Sequence, residues 1–354
     1  MPVWRTEDRG PGGLIFSSRY FLIHRLSSEK RRESRERGKT MISILKTFPD
    51  RTVRELSLET LEPGAWINLA APSKEEIAAV SAAAKAPADF LAAALDPEET
   101  SRIESDEGYV LVVINVPKVE GNFRFDAIPM GIIITTEYII TVCLEKNDVL
   151  PPLPAASAAT FKRTRFLFQI LFRAATLFLK YLVQIDRRSN TIESNLRKSM
   201  KNEELFQLLD LEKSLTYFTS ALRSNRSVVD KIIRLCANAQ MHEVIKVREE
   251  DEDLLEDVKI EYDQAYEMVQ MYSNILSGMM DAFASIISNN LNMVMKFLAS
   301  VTIILAIPTV VASFWGMNVE LPFGMHPLGF WTVSGISALL AGGAAFLLWK
   351  KHML

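Results

Sequence analysis

Two stretches near the C-terminus carry no charged residue: residues 297–315 and residues 328–349. As helices they would be about 28 Å and about 33 Å long, close to the roughly 30 Å of a bilayer's hydrocarbon core. Only the segment GMNVELPFGMHP, residues 316–327, joins them. Two spans with so short a connection form a hairpin, so both ends lie on one side of the membrane. Lys296 precedes the first span and Lys350 and Lys351 follow the second, whereas the connection has no Lys or Arg. The bias of basic residues towards the cytoplasm then predicts a multi-pass protein of the cell membrane (inner or plasma), with both termini and the basic tail 350–354 inside.

The sequence before the first span is helical as well. From Glu249 onward no proline interrupts it until the membrane, and Leu254, Val258, Tyr262, Ala265, Val269, Tyr272 and Leu276 recur at helical spacing. No cap or breaker separates this stripe from the first span. One helix over 249–315 is therefore predicted, about 100 Å long, with roughly two thirds outside the membrane. A stalk of that length needs partners to bury its stripe, so an oligomer is expected.

The remainder is polar enough to be soluble. Residues 41–150 read as a cytosolic α/β domain. Strands are expected at 65–72, at 109–117, and at 129–144 as a pair around 135–137. A helix is expected over 74–95, with Ser73 as N-cap and Glu76 three residues on. Prolines mark a linker at 150–156, and residues 151–248 read as a cytosolic helical region. Residues 166–183 resemble a third span, but Gln169, Arg173 and Lys180 argue for a buried core helix. A charge at bilayer depth costs about 2.5–3.5 kcal/mol on insertion scales.

Residues 1–40 differ from the rest, with ten basic and five acidic residues. They read either as a basic arm for anionic lipid or as a probably disordered extension ahead of a working start at Met41. The net charge of −3 gives no footprint for a nucleic acid. Cys143 and Cys236 read as reduced thiols. Neither an HExxH cluster, a phosphate-cradling glycine loop nor GxSxG is present, so the chain does not read as an enzyme.

The first span has one unusual face. Asn292, Met295, Ala299, Thr302, Ala306, Thr309 and Ser313 follow at three- and four-residue steps, small or weakly polar throughout. Tight helix packing selects such residues, and so does a pore; around a central axis the two readings merge. A hairpin that is only the anchor of a stalk or scaffold is the alternative. In the second span Gly335, Ser337, Ala341, Gly342, Gly343 and Ala344 read as packing residues.

Directly after the first span stands Trp315-Gly316-Met317-Asn318. With GMN at the outer end of the penultimate span, the chain resembles the CorA family of divalent cation transporters. Segments 94–104, 137–146, 211–225 and 277–298 agree, and the resemblance covers 41–354. It implies an α+β cytosolic domain, a long stalk helix, two C-terminal transmembrane helices and a homopentameric funnel. Gly316, Met317 and Asn318 would ring the outer mouth, with Glu320 attracting cations. Asn292, Met295, Leu298, Thr302, Thr309 and Ser313 would line the pore, Met295 and Leu298 as its hydrophobic constriction. Asp257 matches a regulatory position where carboxylates of neighbouring protomers bind Mg²⁺ and hold the channel closed, with Asp96 or Glu99 as partner. Asp281 matches an acidic residue low in the stalk. The surface-charge reading of Asp281 and of residues 249–257 stays open.

The cargo implied is Mg²⁺, moved by the membrane potential and gated by internal Mg²⁺. Many magnesium-carrying members have MPEL in the outer loop, where this chain has VELPFGMHP. A same-fold transporter of Zn²⁺, Co²⁺ or Ni²⁺, possibly proton-coupled, is the alternative, with His326 as a softer ligand near the mouth.

Overall fold

The computed structural model describes residues 42–48, 52–106, 108–121, 124–150, 159–199, 202–236, 245, 247–317 and 328–353. The basic N-terminal segment, the proline-rich linker, Asn318, Glu320 and His326 lie outside these residues. Two compact units result, one of residues 1–194 and 209–272, the other of 195–208 and 273–354.

The first unit is built on seven strands: β1 (Ile42–Thr47), β2 (Val53–Leu56), β3 (Trp66–Ala70), β4 (Arg102–Asp106), β5 (Tyr109–Glu120), β6 (Arg124–Thr135) and β7 (Ile139–Cys143). Their order is β2-β1-β3-β7-β6-β5-β4, antiparallel except for the β3–β7 pair. Val110 to Ile114 are all buried, as are Ile132 to Ile134, so the centre of the sheet is covered on both faces. The two-residue side-chain period sorts them. Ile67, Leu111, Val113, Ile133 and Ile140 face one cluster with Ile77, Val80 and Leu91 of α1 (Lys74–Ala84) and α2 (Ala88–Ala93). On the opposite face Trp66 meets Phe166, ring centroids 5.0 Å apart. Near the start of β6, Phe125 meets Tyr181 at 5.6 Å and Phe218 at 6.1 Å.

The single helix expected over 74–95 is two helices. Its start is as the sequence implied: the Ser73 hydroxyl accepts from Glu76 N at 3.2 Å and Glu76 accepts from Ser73 N at 2.8 Å. It ends because Lys85 turns left-handed, φ 53°, two residues before Pro87, whose ring disfavours helix in the residue before it.

Residues 166–183 belong to α3 (Arg163–Ser199), which pairs with α4 (Asn202–Cys236). Length and apolarity alone would let α3 cross a membrane. Its phenylalanines are instead buried in this unit, with Phe178 edge-on to Phe218 at 4.9 Å. Both cysteines are free; burial pushes the Cys236 thiol up to about 11, which keeps it a poor nucleophile.

The long helix is α5 (Glu249–Trp315), 67 residues without a break. Its start is held by charge. Lys162 Nζ lies 2.8 Å from Glu250, and Arg165 bonds both the buried Asp251 at 3.2 Å and the Glu250 carbonyl at 2.9 Å. Asp251 also accepts from Arg248 N at 3.3 Å, and four acidic residues in the first turn suit the positive end of the helix dipole. The Lys162 hydrogen bond holds the Glu250 carboxyl below its ordinary range. A lowered folded value means that this contact is present above the ordinary carboxylate pKa and is lost on acidification through the lowered one. Further on, Leu255, Val258, Tyr262, Ala265 and Val269 are buried, while Arg226 of α4 pairs with Asp263 at 2.5 Å.

A buried polar hub joins α4 to the sheet. Asn225, with no exposed surface, accepts from Asn115 N and from the Ser101 hydroxyl, both at 2.8 Å, and donates to the Asn115 carbonyl at 2.7 Å. Nearby, Lys231 donates to the Ile103 carbonyl at 3.1 Å, covering edge strand β4. Burial raises the Tyr262 phenol pKa, offset in small part by the Asn225 amide, so the phenol stays neutral. Replacing Asn225 by Leu takes this partner from three half-buried groups, Asn115 N, the Asn115 carbonyl and the Ser101 hydroxyl, at about 1 kcal/mol or more each. We expect Asn225→Leu to lower the urea midpoint of the first unit by the equivalent of about 3 kcal/mol. An unchanged midpoint would remove the hub from the account of this domain's stability.

The second unit contains α5 from Ser273 and α6 (Gly329–Lys350). The end of α5 and all of α6 are long and apolar enough to cross a membrane. Leu291, Met295, Leu298, Leu305 and Phe314 each expose three fifths or more of their surface, and no residue of α6 is buried. Such continuous apolar exposure is what lipid or partner helices cover.

Candidate ion pathway

The face singled out on the first span is a continuous row on α5. Asn292, Met295, Leu298, Thr302, Thr309 and Ser313 are all exposed in the single chain. Two hydroxyl donors on it are already engaged by their own helix: Thr302 Oγ1 donates to the Leu298 carbonyl at 2.8 Å and Thr309 Oγ1 to the Leu305 carbonyl at 3.3 Å. With the proton directed backwards, each hydroxyl keeps its lone pairs for another donor. A row of acceptors suits the water shell of a hydrated cation, which points its hydrogens outward. Met295 and Leu298 interrupt that row with apolar surface near its N-terminal end.

Pro308 lies inside this helix. It has no N–H, so the bond to the Ile304 carbonyl cannot form. Thr309, the next residue, donates its hydroxyl to the neighbouring Leu305 carbonyl, and the helix continues past the proline. The helix closes where Gly316 N donates to the Ala312 carbonyl at 2.9 Å and Met317 N to Phe314 at 3.4 Å. The rest of the outer mouth, Asn318 and Glu320 included, is outside the described residues.

The acidic residues singled out do not assemble in one chain. Among the described residues no three His, Cys, Asp or Glu side chains converge on a metal-sized site. Asp257 is exposed on α5, beside the buried Val258. Asp96 is exposed and its Oδ1 accepts from Glu98 N at 3.0 Å, shaping the turn after α2. Glu99 is half-buried and ion-paired with Arg102, which also holds Glu104 at 2.6 Å. Burial opposes the Arg102 charge, but its hydrogen bonds to Glu99 and Glu104 outweigh that, and its pKa is raised. A divalent ion at Glu99 would have to compete with this guanidinium, whereas Asp96 and Asp257 face solvent. Asp281 is exposed on the later part of α5. Sequence reading missed Pro308, the Arg102 clamp and the Arg165–Asp251 pair. A lone proline in an apolar run was visible, and Arg102 stands within three residues of both its partners; Arg165 and Asp251 are brought together only by the fold.

An α/β domain, a long helix running on into an apolar stretch, and a second apolar helix make up a chain whose C-terminal helices are long and apolar enough to cross a membrane. Residues 63–351 match the family model described as "CorA-like Mg2+ transporter protein". The chain belongs to that family. It is 25% identical over 312 residues to the cobalt/magnesium transport protein CorA of Methanocaldococcus jannaschii, covering 85% of this chain and 96% of the relative. The complete structure of the CorA magnesium transporter from that organism matches with a TM-score of 0.73 at 24% identity, over 87% of this chain and 97% of the other. The ZntB cytoplasmic domain from Vibrio parahaemolyticus matches with a TM-score of 0.54 at 13% identity, over 72% and 99%, and shows the fold alone.

A methyl group on Gly316 would meet the Ala312 carbonyl oxygen at 3.4 Å, an ordinary contact. Gly316→Ala is therefore expected to express and to melt in detergent like the parent. A large drop in melting temperature would show that this glycine is needed for folding rather than for the mouth.

Proposed function

We propose that this chain is a passive channel for hydrated divalent cations, with Mg²⁺ as its cargo, assembled as a homopentamer around the α5 face. The observation that carries the reading is that face: an exposed row of amide, hydroxyl and small residues on a membrane-length helix that ends in the GMN tripeptide. Mg²⁺ loses its water reluctantly, so a pathway of neutral oxygen acceptors that leaves the shell in place fits it better than thiolate or imidazole ligands would. The names of the relatives, which include cobalt and magnesium, support the same cargo class. Likeness to a ZntB domain is a matter of fold and gives Zn²⁺ or Ni²⁺ no added support. Five copies of Gly316, Met317 and Asn318 would form the outer ring, with Glu320 drawing cations towards it. Both termini lie in the cytoplasm on this reading. Uptake follows the membrane potential, which contributes about 4.6 kcal/mol per divalent ion per 100 mV.

The regulatory half of the reading puts Mg²⁺ between protomers at Asp257 and Asp96, with Glu99 and Asp281 as further carboxylates. Bound ions hold the closed state. When they leave, repulsion between the carboxylates returns and opens the channel.

Two measurements test these halves separately. In proteoliposomes, Asn318→Ala is expected to abolish Mg²⁺ entry driven by an imposed potential, and flux at the parent rate would sink the pore reading. Asp257→Ala is expected to remove the Mg²⁺ dependence of protease resistance in the cytosolic domain. A digestion pattern that still tracks Mg²⁺ would place the sensor elsewhere.

A further inference from the structure

Ser300 has no exposed surface, although the α5 residues on either side of it are exposed or half-exposed. Its hydroxyl lies 2.8 Å from the Lys296 carbonyl and 3.0 Å from the carbonyl of Met353, beyond the end of α6. One oxygen thus ties the cytoplasmic ends of both spans together. Met353 reaches it through a specific turn. His352 N donates to Trp349 O at 3.0 Å and Met353 N to Leu348 O at 3.1 Å, the pair of bonds that closes a helix on a left-handed residue. That residue is normally glycine; here it is His352 at φ 55°, a conformation that disfavours a side chain. The chain accepts this strain and places an imidazole at that corner.

The result is a concentration of charge. Lys296, Lys350, Lys351 and His352 are all exposed and all lie at the tied end. Along α5 the nearest acidic side chain is Asp281, about 22 Å away, and neither span carries one. Among the described residues no carboxylate pairs with any of the four. Unpaired lysines on a soluble surface are common, but these lie beside apolar helices, where the lipid headgroups begin. Ser300 lies at least a quarter-turn from Met295 and Ala299 and is bonded to the chain beyond the end of α6, whereas Lys296, one turn after Asn292 and one turn before Ser300, stands between that face and the row proposed for the pore.

We infer that the tied cytoplasmic end of α5 and α6 is a binding site for the phosphate headgroup of an anionic phospholipid, with Lys296, Lys350 and Lys351 as its charged ligands and the Ser300–Met353 bond as the element that assembles them. This rests on the reading that both spans cross the bilayer with these ends inside, but not on the identity of the transported ion. Phosphate oxygens accept from ammonium groups of both helices at once, so a bound lipid bridges the spans. Basic pockets between transmembrane helices on the cytoplasmic side bind anionic headgroups in this way.

The test uses the full chain in neutral detergent micelles, titrated with phosphatidylglycerol, phosphatidylcholine or inorganic phosphate, reading the melting temperature and the bound lipid by native mass spectrometry. Phosphatidylglycerol is expected to bind and to raise the melting temperature, and phosphatidylcholine to do neither. K296Q/K350Q/K351Q is expected to weaken phosphatidylglycerol binding by about a hundredfold, at about fivefold per lysine. K296R/K350R/K351R keeps the charges and is expected to keep the lipid. Removing three exposed lysines of the first unit instead (K74Q/K213Q/K259Q) leaves binding unchanged if the site is local. Ser300→Ala is expected to weaken binding with all charges present. Unaltered binding in the triple glutamine variant, or equal loss in the distant control, would overturn the site. Inorganic phosphate giving the same stabilisation as the lipid would overturn the lipid assignment. No flux is measured, so neither result bears on the transport reading.

Discussion

The structure depends on one constraint: a backbone that enters a bilayer must satisfy its own hydrogen bonds, and α5 does so except at Pro308. Because the helix is continuous from Glu249 to Trp315, the same rod is a stalk at one end and a membrane span at the other. The Lys162 and Arg165 contacts fix where the rod starts on the α/β domain. Where the ladder must fail, at Pro308, the adjacent Thr309 hydroxyl bonds a neighbouring carbonyl, and the helix continues.

Apolar surface sorts the rest of the chain by what covers it. The centre of the sheet is covered on both faces by the chain itself, with α1 and α2 on one side and Phe166 of α3 on the other. The last part of α5 and all of α6 are covered by nothing in the single chain. Helix α3 lies between these cases. By length and apolarity it could span a bilayer, yet its aromatic residues are packed inside the first unit. Charge placement distinguishes it from α6: Arg173 and Lys180 lie within its apolar run, whereas in α6 the only charge is the terminal Lys350.

Polar groups on the transmembrane part of α5 divide by role. Thr302 and Thr309 turn their protons onto their own helix and leave lone pairs outward, while the Ser300 hydroxyl sits between the Lys296 carbonyl of its own helix and the Met353 carbonyl beyond the second. Three hydroxyls within ten residues therefore do two different things, set by which side of the helix each occupies.

The sequence by itself determined the membrane hairpin, the unbroken stalk, the Ser73 cap and the family, because each is written in local runs: uncharged stretches, helical periodicity, a capping pair, a tripeptide at a defined place. It also placed the candidate pore row, since a helix fixes which residues share a face. Tertiary structure alone decided what depends on distant partners. The break before Pro87 had a local sign, and so did the Arg102–Glu99 pair three residues apart, but the Asn225 hub 110 positions from Asn115, the Arg165–Asp251 pair and the Ser300–Met353 tie did not. Their energies come from side chains meeting in a low-dielectric interior or at a helix end. No periodicity encodes which residues will meet there, because the meeting is set by how whole elements pack.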